Sequence, residues 1–290
     1  MKFSVVVPTH SRPAPLARCL QALAGQDFPK NDFEVIVIDD GGAIPAGNSC
    51  PGFAFQLLRQ DRRGPAAARN AGATLASGEF LAFTDDDCRP APDWLACLAA
   101  QLADTPDELV GGSIVNDLTE NPFSTASGLL LDYLYRHYSH DGTGPAFLAT
   151  CNLAMSRSHF DEIGRFDERF PIAAGEDREF CDRWLHSGRR IRFASSAVVH
   201  HAHSMEWRGF LRQHFNYGRG ACHFRRARAG RNLPGPRIEP LRFYLGILRS
   251  PFILPRPAGP RLRMSALLAL SQVVYAAGFL REVAAGNSRR

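Results

Sequence analysis

The feature that most constrains this chain is the alternation of short β-branched runs with helical segments through its first hundred residues, two of the runs ending in acidic clusters. Phe3–Val7 stops at Pro8, and Leu16, Cys19, Leu20 and Leu23 then recur at helical spacing before Gly25. Glu34–Ile38 reads as a second buried strand, Phe55–Leu58 as a third and Glu79–Phe83 as a fourth. Helices are expected over Pro65–Ser77, with proline at the start and Gly78 just past the end, and over Pro92–Ala103. This alternation predicts an α/β fold with a mainly parallel sheet flanked by helices. In such sheets ligands sit at the carboxyl ends of the strands. Asp39-Asp40-Gly41-Gly42 and Thr84-Asp85-Asp86-Asp87 both fall there, gathering up to five carboxylates near one crevice. Further on, Phe147–Met155 reads as a strand, Glu176–His186 as a helix stopped by Gly188, and Arg190–Phe193 and Ala197–His200 as two short strands.

Apolar residues make up 45% and charged residues 22%, which suits a globular protein and excludes a disordered one. No fixed-period repeat is present, so solenoids and propellers are set aside. The seven cysteines are scattered, without a CxxC pair, which excludes a disulfide scaffold or zinc ribbon. Together with an N-terminus unlike a signal peptide, they predict a cytoplasmic protein.

The net charge of +5 conceals an asymmetry: residues 206–290 carry 16 arginines against three acids, Glu206, Glu239 and Glu282. The chain therefore divides into an acidic body, 1–205, and a basic, apolar, helical extension, 206–290. Met264–Leu280 holds 17 uncharged residues between Arg263 and Arg281. That is short of the roughly 20 a spanning helix needs, and suits a helix lying at a membrane interface. The expected partner is thus the inner face of the cell membrane, with a domain-closing or homodimer contact as the alternative. The arginine-rich 225–237 lacks the interleaved aromatics of a single-strand binder, so no nucleic acid is expected.

Three adjacent carboxylates repel one another unless a cation joins them, and hard divalent ions bind through one or two carboxylates plus substrate phosphates. Read plainly, Asp85–Asp87 is either such a site or a solvated acidic turn. Asp40 follows a buried strand, where a carboxylate can accept from a base or a ribose hydroxyl. Arg69 lies in a helix preceded by arginines, a ready anion site. Asp177 lies in a first helical turn, whose dipole favours the ionised carboxylate a general base requires. Of His200, His201 and His203, any one can serve as a metal ligand. Asn152 and Trp184 fall in segments where acceptor contacts are expected. No GxGxxG is present.

Taken in order, Val5-Val6-Val7-Pro8-Thr9, Val37-Ile38-Asp39-Asp40-Gly41, the arginine–Asn70–Gly72 segment, Thr84–Asp87 and Gly175-Glu176-Asp177 resemble family 2 glycosyltransferases of GT-A fold across roughly residues 3–205. The resemblance implies an inverting, metal-dependent, hexosyltransferase-type enzyme that uses a nucleotide-diphospho-sugar, foremost a UDP-sugar, and Mn2+ or Mg2+. Its hydroxyl acceptor would be a glycan or a lipid-linked molecule. It assigns Pro8, Thr9, Arg12, Asp40, Arg69, Asp85 and Asp86 to the nucleotide sugar and Asp87 with His201 to the metal. Asp177 becomes the base, with Glu176, Asn152 and Trp184 on the acceptor side. Asp86 departs from the small middle residue usual in the family's DxD, so the metal ligand stays open among the three carboxylates. Gln213-His214-Phe215-Asn216-Tyr217 does not match the QxxRW of processive synthases, which implies one sugar per acceptor. The alternative is a non-catalytic nucleotide-sugar-binding or scaffold protein on the same fold.

Overall fold

The computed structural model describes residues 1–42, 52–139, 145–170, 172–235, 239–253 and 260–287. The central strands form where the sequence offers runs with no polar face. In β1 (Phe3–Thr9) Phe3, Val5, Val6 and Val7 are fully buried, and every residue of β2 (Phe33–Asp40) is buried. Strands covered on both faces need such continuous apolar runs. β3 (Ala54–Gln60), at the sheet edge, alternates instead between exposed and half-buried residues.

The helices α1 (Pro13–Ala24) and α2 (Pro65–Leu75) supply the covers. α1 buries Leu16, Cys19, Leu20 and Leu23, one stripe of a helix. α2 opens with proline after Gly64 and packs on β1 and β2. β4 (Phe80–Phe83) pairs with β1 in parallel, and the short β5 (Cys88–Pro90) and α3 (Trp94–Asp104) follow. Next come β6 (Leu109–Asn116), α4 (Pro122–His137), a 3-10 turn at Thr150–Asn152, β7 (Leu153–Ser156), α5 (Arg157–Glu162), α6 (Glu176–His186) and β8 (Ile191–His201). The sheet has eight strands in the order β3-β2-β1-β4-β7-β6-β8-β5. The pairs among β3, β2, β1 and β4 are parallel, as is β6 with β8, whereas β4–β7, β6–β7 and β5–β8 are antiparallel.

Two expectations of strand length change. Phe147–Met155 is not one strand: the chain turns through the 3-10 segment before β7 begins at Leu153. The two short strands over 190–200 are instead one strand, β8, whose register with β6 shifts between Gly112 and Ser113. The looped-out residue pattern of such a bulge breaks the alternation that sequence reading depends on.

Beyond residue 205 the chain is helical: α7 (Trp207–Gly230), α8 (Leu241–Ile253) and α9 (Arg261–Asn287). Phe210, Met264 and Leu267 share an apolar cluster with Ala126 and Leu129 of α4. Arg228 of α7 and Arg231, just past its end, pair with Asp182 and Glu179 of α6. α7 also crosses two neighbours at backbone distance. A Cβ at Gly218 would strike the Tyr275 carbonyl of α9, and one at Gly220 the Ala174 carbonyl just before α6.

Candidate active site

β4 ends beside Val6 while β1 runs on to Thr9, so the residues after β4 lie along the end of β1. Val6 pairs with Phe83, and the chain then delivers Thr9 beside Asp86, whose Oδ2 accepts from Thr9 Oγ1 at 2.6 Å. Ser11 takes a positive φ of 53° at the strand–helix turn, and Arg12, at the N-cap of α1, reaches back over the acidic segment. Its Nε donates to Asp86 Oδ2 at 3.1 Å and its Nη1 to Asp87 Oδ2 at 2.9 Å. Pro8 is half-buried beside Thr9.

The pairing of β5 with β8 aligns Cys88 with His201, which places Asp87 against the histidines. His201 Nε2 lies 3.2 Å from Asp87 Oδ1 and His203 Nδ1 lies 3.0 Å from Asp87 Oδ2, with the two rings stacked. His200 points elsewhere, its Nδ1 lying 3.1 Å from Asp117 Oδ1. Burial alone would raise the Asp87 carboxyl, but hydrogen bonds from His201 and His203 outweigh it and hold Asp87 well below the carboxylate range. Burial likewise opposes protonation of His201, and the Asp87 carboxylate overrides it, lifting the imidazole to about 9. Asp86 behaves oppositely: burial, only partly offset by Arg12 and Thr9, pushes it up to about 6.

Among the described residues, donor atoms of Asp87, Cys88 and His201 lie within 4.8 Å of one another. Carboxylate with imidazole fits a divalent transition ion such as Mn2+ better than Mg2+, which prefers oxygen alone. Asp87 and His201 are thus brought together as expected. Nothing in the spacing of the seven scattered thiols marks Cys88, yet it directly follows the acidic triplet.

The second half of the site hangs on Arg69, which is 4% exposed. Its Nη2 donates to Asp85 Oδ1 at 2.9 Å and its Nη1 to Glu176 Oε1 at 3.1 Å, tying the acidic segment to the first turn of α6. Arg69 therefore faces two carboxylates rather than standing open for a diphosphate, whereas Arg12 keeps its side chain 44% exposed. Asp40 is similarly occupied: its oxygens accept from Gln60 Nε2 and from the backbone N–H groups of Arg63 and Gly64, each at 2.8 Å, which fixes the turn into α2. Asn70 clamps a later loop, bonding the Phe166 backbone on both its N–H and C=O.

At the start of α6, Gly175 has a φ of 91° and lies 3.0 Å from the Gly220 carbonyl by the position its Cβ would take. Glu176 is buried and held by Arg69, while Asp177 is only half-buried and accepts from the Arg178 N–H at 2.7 Å. Burial, and for Glu176 the neighbouring Asp177, raises both carboxyls above their ordinary values. The helix terminus was expected to favour the ionised Asp177; burial outweighs it, and the result is a more basic carboxylate. Accessibility separates the pair: Glu176 is buried, Asp177 half-buried.

Two expected acceptor contacts are core residues instead. Asn152 is 1% exposed and fully engaged, accepting from Trp94 Nε1 at 2.9 Å and donating to the carbonyls of Ser113 and Ala197. Trp184 is fully buried, with its Nε1 donating to the Arg190 carbonyl at 3.0 Å. Neither has a polar group left for a substrate.

Comparison with known proteins places this arrangement. The family model described as glycosyl transferase family 2 matches residues 4–164. The chain is a family 2 glycosyltransferase. A second model, described as the N-terminal domain of galactosyltransferase, matches residues 136–205. The glycosyltransferase AglE of Haloferax volcanii is 26% identical over 75% of this chain and 72% of its own length. The pre-mycofactocin glycosyltransferase of Mycobacterium tuberculosis is 30% identical over 76% of this chain, which spans about half (46%) of that relative. Among solved structures, the mannosyltransferase PcManGT of Pyrobaculum calidifontis, in complex with GDP-Man and Mn2+, has a TM-score of 0.60 at 21% identity, covering 98% of this chain and 79% of its own. Residues 1–349 of S. aureus TarS with UDP-GlcNAc give 0.59 at 18%, over 96% and 89%. The glycosyltransferase thus has the GT-A fold.

Proposed function

We propose that this glycosyltransferase transfers one sugar at a time, with inversion, from a nucleotide-diphospho-sugar to a hydroxyl of a glycan or lipid-linked acceptor. The observation that carries the reading is the bridge through Arg69, which ties Asp85 of the acidic segment to Glu176 in the first turn of α6. Donor and acceptor chemistry can then meet there. Similar folds bind UDP-GlcNAc in one case and GDP-Man with Mn2+ in another, and a UDP-sugar is our choice of donor.

Asp87 and His201 would hold the divalent ion, Mn2+ in preference to Mg2+, with His203 and Cys88 at its edge. A bound ion would act as a Lewis acid that neutralises the leaving diphosphate. Thr9 and Arg12 hold Asp86 in place, and Arg12, the exposed cation of this cluster, supplies a second positive charge toward the phosphates. Arg69 acts at one remove, keeping Asp85 and Glu176 paired so that their charges do not repel the donor. Asp177 accepts the proton of the acceptor hydroxyl as its oxygen attacks the anomeric carbon on the face opposite the diphosphate. A single displacement of that kind inverts the anomeric centre.

The test combines binding with turnover. UDP, GDP, CDP and dTDP, each with and without Mn2+, are compared for thermal stabilisation; a hundredfold excess over Kd stabilises by about 2.7 kcal/mol. UDP with Mn2+ should stabilise, and chelation should reverse it. Asp177→Asn should retain that stabilisation and lose transfer. Substantial transfer by the variant would place the base elsewhere, and indifference to every nucleotide would favour the non-catalytic alternative.

A further inference from the structure

The transfer reading leaves unexplained the end of the chain, where α8 and α9 turn apolar side chains outward. On α8, Leu241, Leu245 and Phe252 are 72%, 42% and 50% exposed and share one helical stripe with the exposed Arg249. Ile253 beside Phe252 is 70% exposed, and Leu262, at the start of α9, is 77% exposed. The two helix ends are held together. The Arg261 guanidinium lies 6.0 Å from the centre of the Phe252 ring, and Ser265 Oγ donates to the Leu248 carbonyl at 2.7 Å. The product is a tip bearing Phe252, Ile253 and Leu262 among Arg249, Arg261 and Arg263, and neither helix carries an acidic residue before Glu282.

We propose that this tip docks on the surface of an anionic lipid bilayer, the three apolar side chains entering the headgroup region and the arginines meeting lipid phosphates. Charge complementarity selects the occupant. Apolar groups flanked by cations are the chemistry of interfacial binding. A second copy of this chain on a two-fold axis through the tip would set the same arginines against themselves, with no carboxylate in the tip to pair them.

Packing decides between lying on the bilayer and crossing it. The segment Arg261–Ala285 is long and apolar enough to cross, with a mean hydropathy of 1.3. Its inner side, however, is committed to the protein. Met264 and Leu268 are 1% exposed, Ser271 is fully buried, and Glu282 pairs with Arg219 Nε at 2.8 Å. A Cβ at Gly278 would strike the Phe215 carbonyl of α7. Crossing would strip these contacts, so α9 stays on the body and only the tip enters. The inference does not depend on the donor, the metal or the base.

The experiment sediments the full chain with vesicles of phosphatidylcholine, alone or with one-third phosphatidylglycerol. Binding to the anionic vesicles, weakened by salt, is expected. Each basic residue at such a surface contributes about fivefold, so Arg261→Glu with Arg263→Glu should lower partitioning by about 25-fold or more. Phe252→Ser with Ile253→Ser should lower it independently of salt. These positions are exposed, and an unchanged thermal midpoint and far-UV circular dichroism spectrum establish that the variants are folded. The proposal is overturned if the wild type ignores anionic vesicles or if the variants bind as it does. It is equally overturned if light scattering finds a dimer that the same substitutions dissolve.

Discussion

Replacing Arg69 with methionine keeps a buried arm of similar length but leaves Asp85 and Glu176 without their guanidinium. Removing one partner of a buried ion pair costs about 3–5 kcal/mol, against a total stability of roughly 5–15 kcal/mol. The loss should depend on pH. Burial first, and Asp177 second, raise Glu176 from 4.5 to about 7 even while Arg69 pulls it down. The folded chain therefore holds this proton more tightly than the unfolded chain. Ionising Glu176 thus erodes stability as pH rises from 4.5 toward about 7. Without Arg69 the opposing cation is gone, and that erosion continues to higher pH. Urea unfolding in metal-free buffer, followed by the fluorescence of the buried Trp94 and Trp184, should give the variant a deficit of about 3–5 kcal/mol at about pH 8. At about pH 5, where Glu176 is protonated in both proteins, the deficit should fall to about half or less. Equal deficits at the two pH values, or one under about 1 kcal/mol at the higher, would refute the reasoning.

Gly218→Ala drives a Cβ into the Tyr275 carbonyl and should cost about 1–3 kcal/mol, while Gly209→Ala, on the same helix with open space around it, should be neutral or stabilising; differential scanning calorimetry compares them. Asn152→Ala orphans the buried Trp94 Nε1–H and the carbonyls of Ser113 and Ala197, so it should lose at least about 2 kcal/mol while leaving the acceptor KM of the folded enzyme unchanged. A raised acceptor KM at intact stability would return Asn152 to the acceptor side. Asp87→Ala and His201→Ala should each abolish the extra thermal stabilisation that Mn2+ adds to the nucleotide, whereas His200→Ala, paired with Asp117, should keep it.

What the sequence made legible was the half of the sheet built from unbroken apolar runs. β1, β2 and β4 need nothing beyond their own side chains to be recognised, and the acidic clusters follow directly at the ends of β2 and β4. β6 has no expected counterpart, since Gly111-Gly112 interrupts its apolar run; in the sheet those positions are glycine because a side chain would collide with the carbonyls of Asn152 and Ala197. α4 was marked only by its cap, Asn121 before Pro122, whose Oδ1 accepts from the Phe123 and Ser124 N–H groups. α7 presents arginines, histidines and glycines where an amphipathic stripe is expected, since it touches neighbours on several sides. The same limit applied to the site. Position after a strand singled out Asp87 and position in a first helical turn Asp177, but only the fold reveals that Arg69 faces inward and that Asn152 and Trp184 are spent on the core.

The two glycines of α7 make it a stiff spacer. Gly218 abuts the backbone of α9, and Gly220, half a turn further on, abuts the backbone leading into α6. A side chain at either contact could bend and absorb a displacement, but two main chains in direct touch cannot. The spacing between α9 and the Gly175 turn is therefore set main chain against main chain through α7. Excision after residue 205 would leave Ala174 and Gly175 facing water where α7 now stands, and the turn that carries Asp177 would lose its backstop.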